Sequence, residues 1–70
     1  MMRQSVFSSN INSVGYNKET FTLEIEFHHG GIYIFYNISP TIFHELMAST
    51  SKGIYFANNI KGKYDFIRII

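Results

Sequence analysis

The sequence predicts a small α+β domain in which one main helix lies against an antiparallel, meander-like sheet. Polar and apolar residues alternate without a break over residues 20–27, a glycine pair follows, and a helix start appears at Ser39-Pro40. Alternation at period two is typical of strands, and strands followed by a helix and a last strand favour α+β. With 70 residues, we expect a single domain over residues 1–70.

The composition narrows the class of protein. Hydrophobic residues make up 46% of the chain and charged residues 16%, which argues against intrinsic disorder. There is no cysteine, and no apolar run approaches the roughly 20 residues of a membrane helix. We therefore expect a cytoplasmic protein without a disulfide, a structural zinc, a cofactor or a membrane partner.

Two strands are predicted before the glycine pair. The first covers residues 6–16, and a turn at residues 17–19 separates it from the second, at residues 20–27. Alternation places one set of side chains on the core face and the other toward water. The expected core set is Phe21, Leu23, Ile25 and Phe27, and the expected solvent set is Thr20, Thr22, Glu24 and Glu26.

The return strand, residues 32–36, is apolar on both faces, so polarity does not determine its register. An even-length turn at His28–Gly31 would place Ile32, Ile34 and Tyr36 on the core face, and an odd-length turn would place Tyr33 and Phe35 there. The surplus apolar face needs a cover in either case. A sheet curled into a small barrel, a second copy of the chain or a ligand would provide one.

A helix is predicted from Pro40 to about Ser49, because Ser39 suits the N-cap and Pro40 the first helical position. Residues 54–60 fit either a short helix or an irregular segment. Residues 63–69 alternate as a final strand that places Tyr64, Phe66 and Arg68 on one face.

The last twenty residues are basic, with four cations against one carboxylate, whereas residues 1–50 carry a net negative charge. Cations and exposed rings together are typical of nucleic-acid surfaces, where bases stack and phosphates are neutralised. The alternative is that the rings form the core and the cations only aid solubility. The predicted ligand-binding residues are Tyr33, Phe35, Ser51, Lys52, Tyr55, Lys61, Lys63, Tyr64 and Arg68.

Neither a metal site nor catalysis is predicted. Adjacent strand residues such as His28 and His29 point to opposite faces, and no suitably spaced ligands accompany them. Glu24 and Glu26 alternate with threonines on a face expected to be wet. We therefore predict a binding module and not an enzyme.

The sequence resembles the KTSC domain, a short module that occurs alone in bacterial and phage proteins and at the C-terminus of some lysyl-tRNA synthetases. The ordered set of matching pieces carries the resemblance. These pieces are Ser8-Ser9-Asn10-Ile11, Val14-Gly15-Tyr16, Leu23, Ile25, Phe27, Gly30, Tyr33-Ile34-Phe35, Ser51-Lys52-Gly53-Ile54-Tyr55-Phe56 and Ile60-Lys61-Gly62-Lys63-Tyr64.

The chain departs from that pattern at three positions. Ile34 stands where the family usually has a polar residue, Ala57 where Asn often follows the Tyr-Phe pair, and Ser39 where Pro is common. The resemblance implies RNA binding as the suggested activity. Two alternatives remain: a protein-interaction or self-assembling module, and a pocket for a nucleotide ligand with residues 51–56 as its lip.

Overall fold

The computed structural model describes residues 2–70 and contains two helices and five strands. Met1, the first residue of the predicted domain, lies outside the described residues. The elements are β1 Gln4–Ser5, β2 Ile11–Asn17, β3 Thr22–Phe27, β4 Ile32–Phe35, α1 Pro40–Ala48, α2 Lys52–Asn59 and β5 Phe66–Arg68.

The strands form one antiparallel sheet in the order β1-β2-β3-β4-β5, so each strand pairs with its neighbours along the chain. This meander confirms the predicted class. The sheet is open, with β1 and β5 at its edges, so the barrel-like alternative is wrong for the described residues.

The β3–β4 turn has an odd number of residues, and this fixes the register that polarity left open. Leu23 pairs with Phe35 and Ile25 with Tyr33, while the Phe27 amide donates to the Gly31 carbonyl at 2.9 Å. Gly30 takes a φ of +102° in this turn, a conformation that side chains disfavour. Tyr33 and Phe35 therefore lie on the face that the helices cover.

Both helices begin at a serine cap. Ser39 Oγ accepts from the Ile42 amide and Ser51 Oγ from the Ile54 amide, each at 3.3 Å. The second cap begins a helix that contains residues 54–59, with Ile60 as its C-cap, so the chain has two helices of similar length instead of one main helix. The core between helices and sheet contains Ile11, Val14, Leu23, Ile25, Phe35, Ile38, Leu46 and Ile60.

The predicted environments of the residue 20–27 side chains are wrong at two positions: Phe21 is not in the core, and Glu24 is not exposed. Phe21 belongs to the preceding turn, where its φ of +56° leaves the side chain 49% exposed. Glu24 is only 8% exposed, although it lies on the face without helices. Arg3, next to β1, covers it: the guanidinium donates to Glu24 and, at 3.0 Å, to Ser13 Oγ.

The sheet face opposite the helices has a polar half and an apolar half. On the polar half, Asn12 and Ser13 both donate to Glu26 Oε1, at 2.8 and 2.9 Å. A register shift between Ile11 and Ser13 lets two consecutive side chains reach that carboxylate. The apolar half is formed by β4, β5 and the tail: Ile32 is buried, Ile34 and Tyr36 are half-buried, and Ile67 and Ile69 are exposed.

The last strand is shorter than the predicted 63–69. Residues 61–64 form a turn, and Tyr64 is therefore not part of β5. Phe66 and Arg68 lie on one face, as expected. Neither helix formed by residues 2–70 has the length and apolarity needed to span a membrane.

Candidate functional site

An aromatic cleft of about 300 Å³ opens between α2 and the β4–β5 end of the sheet. Its size is at the lower end for ligand pockets, about 300–1,000 Å³. The cleft lies where Phe56 of α2 packs against Phe27 of β3 and Phe35 of β4, while Phe66 of β5 stays exposed. Its lining residues are Phe27, His29, Tyr33, Phe35, Phe56, Lys61, Gly62 and Phe66.

The rings hold one another at contact distance. Phe35 forms the floor, with the centroids of Phe56 and Phe66 at 5.3 and 5.6 Å from its own. Tyr33 lies 5.7 Å from Phe66 and meets Phe27 edge-on at 5.5 Å. Phe66 is nevertheless 53% exposed, so about half of this residue is open to a ligand.

Gly31 permits the close approach of two rings at the hairpin end of the cleft. A Cβ at this position would lie 2.9 Å from both His29 Cε1 and Tyr33 Cε1. His29 stacks on Phe27 with centroids 5.5 Å apart, and its Nδ1 accepts from the Gly31 amide at 3.3 Å. Because Gly31 has no side chain, the rings of His29 and Tyr33 can both lie this close to its backbone.

A second, more polar cleft of about 430 Å³ adjoins the first. Phe27, His29, Phe56 and Lys61 line both clefts. The lining residues that belong only to the polar cleft are Ser9, Asn10, Ile11, His28, Gly53 and Ala57. Ala57, at the position where the resemblance implies Asn, therefore lines this cleft.

The loop before β2 shapes the polar cleft. Ser8 Oγ accepts from the Asn10 and Ile11 amides, both at 3.3 Å, and the Ser8 carbonyl accepts from His28 Nε2 at 2.7 Å. Gly53 lets Asn10 approach α2, since a Cβ there would lie 3.2 Å from Asn10 Nδ2. The serines of the family's opening motif therefore build this wall of the cleft.

Two cations border the clefts. Lys61 lines both, and the guanidinium carbon of Arg68 lies 5.7 Å from the Tyr33 ring centroid. Among the described residues that line either cleft, none is a carboxylate. The electrostatic environment therefore favours an anionic ligand.

The structure brings together four of the nine predicted site residues: Tyr33, Phe35 and Lys61 in the cleft and Arg68 above Tyr33. The others do not line it. Ser51 caps α2, and Lys52 Nζ donates to the Ser49 carbonyl at 3.3 Å. Lys63 and Tyr64 belong to the turn after α2.

Tyr55, the remaining predicted residue, faces α1 and not the cleft. Its hydroxyl donates to Glu45 Oε1 at 2.7 Å. Burial raises the pKa of Tyr55 to about 12, and the bond to the Glu45 carboxylate contributes to the same shift. This side chain holds the two helices together.

Sequence reasoning missed much of the lining. Phe56 and Phe66 are absent from the predicted ligand-binding residues, and His28 and His29 are considered only as metal ligands. The signal present in the sequence is the aromatic content, seven Phe and five Tyr, of which only Phe35 is buried within residues 2–70. The missed residues are Phe27, His28, His29, Phe56 and Phe66, with Ser9, Asn10, Gly53, Ala57 and Gly62 around them.

A separate cleft of about 460 Å³ lies near the β2–β3 turn. Here Tyr16 and Phe43 stack on each other at 4.6 Å, and the Tyr16 hydroxyl donates to the Ile38 carbonyl. Burial raises the pKa of Tyr16. No three His, Cys, Asp or Glu side chains within residues 2–70 are grouped closely enough to hold a metal ion.

Comparison with known proteins finds that the sequence model of the KTSC domain matches residues 7–64. The crystal structure of a KTSC domain protein from Yersinia pestis superimposes with a TM-score of 0.96 and 36% identity, covering 99% of this chain and 97% of that one. An uncharacterised protein from Stutzerimonas stutzeri is 31% identical over 64 residues, 91% of this chain and 90% of its own length.

Lysine–tRNA ligase from Nostoc punctiforme is 38% identical over 56 residues, which are 80% of this chain. The chain spans about a tenth of the length of that ligase and of two other cyanobacterial lysine–tRNA ligases that it matches.

Proposed function

The chain belongs to the KTSC domain family, and we propose that it is a non-enzymatic module that binds RNA or a nucleotide-like anion. The observation that carries the proposal is the aromatic cleft, which the exposed Phe66 and Lys61 line together and where Arg68 lies over the ring of Tyr33. A base stacks on the ring of Phe66 while the cations contact its phosphate. The lysine–tRNA ligase relatives, by name, act on an RNA, and this supports the choice of ligand.

The energetic basis is the pairing of stacking with charge neutralisation. A base stacked on an aromatic side chain contributes about 1–3 kcal/mol, with little dependence on sequence. Each phosphate neutralised on a single strand adds about 0.7 to the slope of log affinity against log salt. Both contributions come from residues within one cleft.

The test is fluorescence anisotropy with a short single-stranded RNA at several salt concentrations. We expect affinity to fall steeply with salt. Phe66→Leu, which keeps the strand apolar but removes the aromatic face, weakens binding by about 1–3 kcal/mol and leaves the salt slope unchanged. Lys61→Gln lowers the slope by about 0.7.

Lys18→Gln is the matched control. This substitution removes the same charge as Lys61→Gln, but Lys18 lines the separate cleft near the β2–β3 turn. Affinity that does not vary with salt, or equal losses in Lys61→Gln and Lys18→Gln, would contradict the proposal.

A second candidate function is self-assembly through the apolar half of the face without helices. Ile67 and Ile69 are 48% and 44% exposed there, beside the half-buried Ile34 and Tyr36. If a second copy buries these side chains, light scattering at micromolar concentration should give the mass of a dimer. The variant Ile67→Lys should give the mass of a monomer. A monomer mass for the unaltered chain rejects this candidate.

A further inference from the structure

The two clefts adjoin each other, and the pair is called the groove. Phe27, His29, Phe56 and Lys61 line both, so the two clefts meet at these four side chains. Their chemistry differs beyond these shared residues. One side adds the rings of Tyr33, Phe35 and Phe66, and the other adds the hydrogen-bonding side chains of Ser9, Asn10 and His28.

We infer that this groove takes two successive nucleotides of a single strand, with the phosphate that joins them at Lys61. The inference rests on the function proposed above and specifies its ligand. One base stacks in the aromatic cleft, and the next nucleotide lies against Ser9 and Asn10.

The position of Lys61 supports this arrangement. It follows the buried Ile60 directly after α2, and the Lys61 amide donates to the Phe56 carbonyl at 2.9 Å, which fixes the backbone there. Its exposed side chain stands where the two clefts meet. A phosphodiester group at this point meets the Lys61 ammonium without repulsion from a carboxylate, because none of the described carboxylates lines either cleft.

The polar cleft provides suitable groups for the second nucleotide. The side chain of Asn10 carries two N–H donors and a carbonyl acceptor, and Ser9 carries a hydroxyl. Both residues are exposed, so a ligand reaches them without displacing the core. The larger volume of this cleft, about 430 against 300 Å³, accommodates a sugar together with a base.

The experiment compares three probes by calorimetry: adenosine 5′-monophosphate, the dinucleoside monophosphate adenylyl-adenosine, and a short oligoadenylate RNA. We expect adenylyl-adenosine to bind about tenfold more tightly than the mononucleotide, because a second base adds its own contacts. Asn10→Ala lowers the affinity for adenylyl-adenosine several-fold and leaves that for the mononucleotide unchanged. Phe66→Leu weakens both.

Circular dichroism of Asn10→Ala establishes that the exposed substitution leaves the fold intact, and Ser9→Ala provides a second variant of the same cleft. Two results would overturn the two-nucleotide groove and leave the proposed function standing, provided that oligoadenylate binds. One is equal affinity for the dinucleotide and the mononucleotide. The other is that Asn10→Ala and Ser9→Ala leave the affinity for the dinucleotide unchanged. If none of the three probes binds, both fail.

Discussion

Arg68 reaches across the β4–β5 pair to Tyr33, its guanidinium carbon 5.7 Å from the centroid of the ring. The Arg68 Nε also donates to the Ile70 carbonyl at 2.6 Å, so the cation is held beside the cleft. A cation in this position stabilises the ring and adds positive charge at the cleft.

The first prediction concerns this cation. Arg68→Gln should weaken RNA binding and lower the magnitude of the salt slope by about 0.7, because one phosphate contact is lost. The exposed position of Arg68 makes a change in unfolding free energy above about 0.5 kcal/mol unexpected. Anisotropy titrations in a salt series measure the effect; an unaltered slope would exclude Arg68 from the binding surface.

The second prediction concerns Ala57 in the polar cleft. Ala57→Asn restores the amide common in the family, and one added hydrogen bond of about 0.5–1.5 kcal/mol should raise RNA affinity two- to tenfold. Ala48→Asn, at the exposed end of α1, imposes a similar helix-propensity cost away from the cleft and is the control. Equal affinities for the two variants would contradict a ligand at Ala57.

Some of the fold follows from local sequence. Alternation in β3 and the Ser39-Pro40 start of α1 depend on neighbouring residues, and both are confirmed. The start of α2 is also marked locally, because Ser51 caps it. The helix was harder to predict because it ends in Asn58-Asn59, which interrupt the apolar pattern of Ile54, Tyr55 and Phe56. Short-range rules therefore predict where elements begin.

The rest depends on contacts between distant residues. The turn at His28–Gly30 sets which side chains of β4 meet the helices, and no polarity difference within residues 32–36 reports it. Glu24 is buried and is paired with Arg3, which lies 21 residues earlier in the chain. The aromatic cleft likewise combines residues from β3, β4, α2 and β5. Some of its residues could therefore be predicted from the sequence, but which of them lie together could not.

The third prediction concerns the Arg3–Glu24 pair. Glu24→Ala leaves the guanidinium with only its Ser13 contact and should lower the unfolding free energy by about 1–3 kcal/mol. Urea denaturation measures the change. Glu19→Ala, in the exposed β2–β3 turn, should stay within about 0.5 kcal/mol, and equal losses in both variants would show that the pair contributes nothing specific.

The fourth prediction concerns Tyr55 and alkaline pH. The folded state holds the hydroxyl proton more tightly than the unfolded state, whose pKa is near 10. The resulting stability is therefore complete below about pH 10 and is lost as the pH rises through about 12. Tyr55→Phe should remove this part of the pH dependence, as followed by urea midpoints; an unchanged alkaline profile would disprove the assignment.

We propose that RNA binds in the aromatic cleft between α2 and β5. The most direct measurement is an NMR titration of the ¹⁵N-labelled chain with a short single-stranded RNA, following backbone amide shifts. The account predicts that the largest shifts cluster at His29, Tyr33, Lys61 and Phe66, with little change at Lys18 and Phe43. Shifts confined to the sheet face without helices or to the Tyr16–Phe43 end, or no shifts at all, would contradict it.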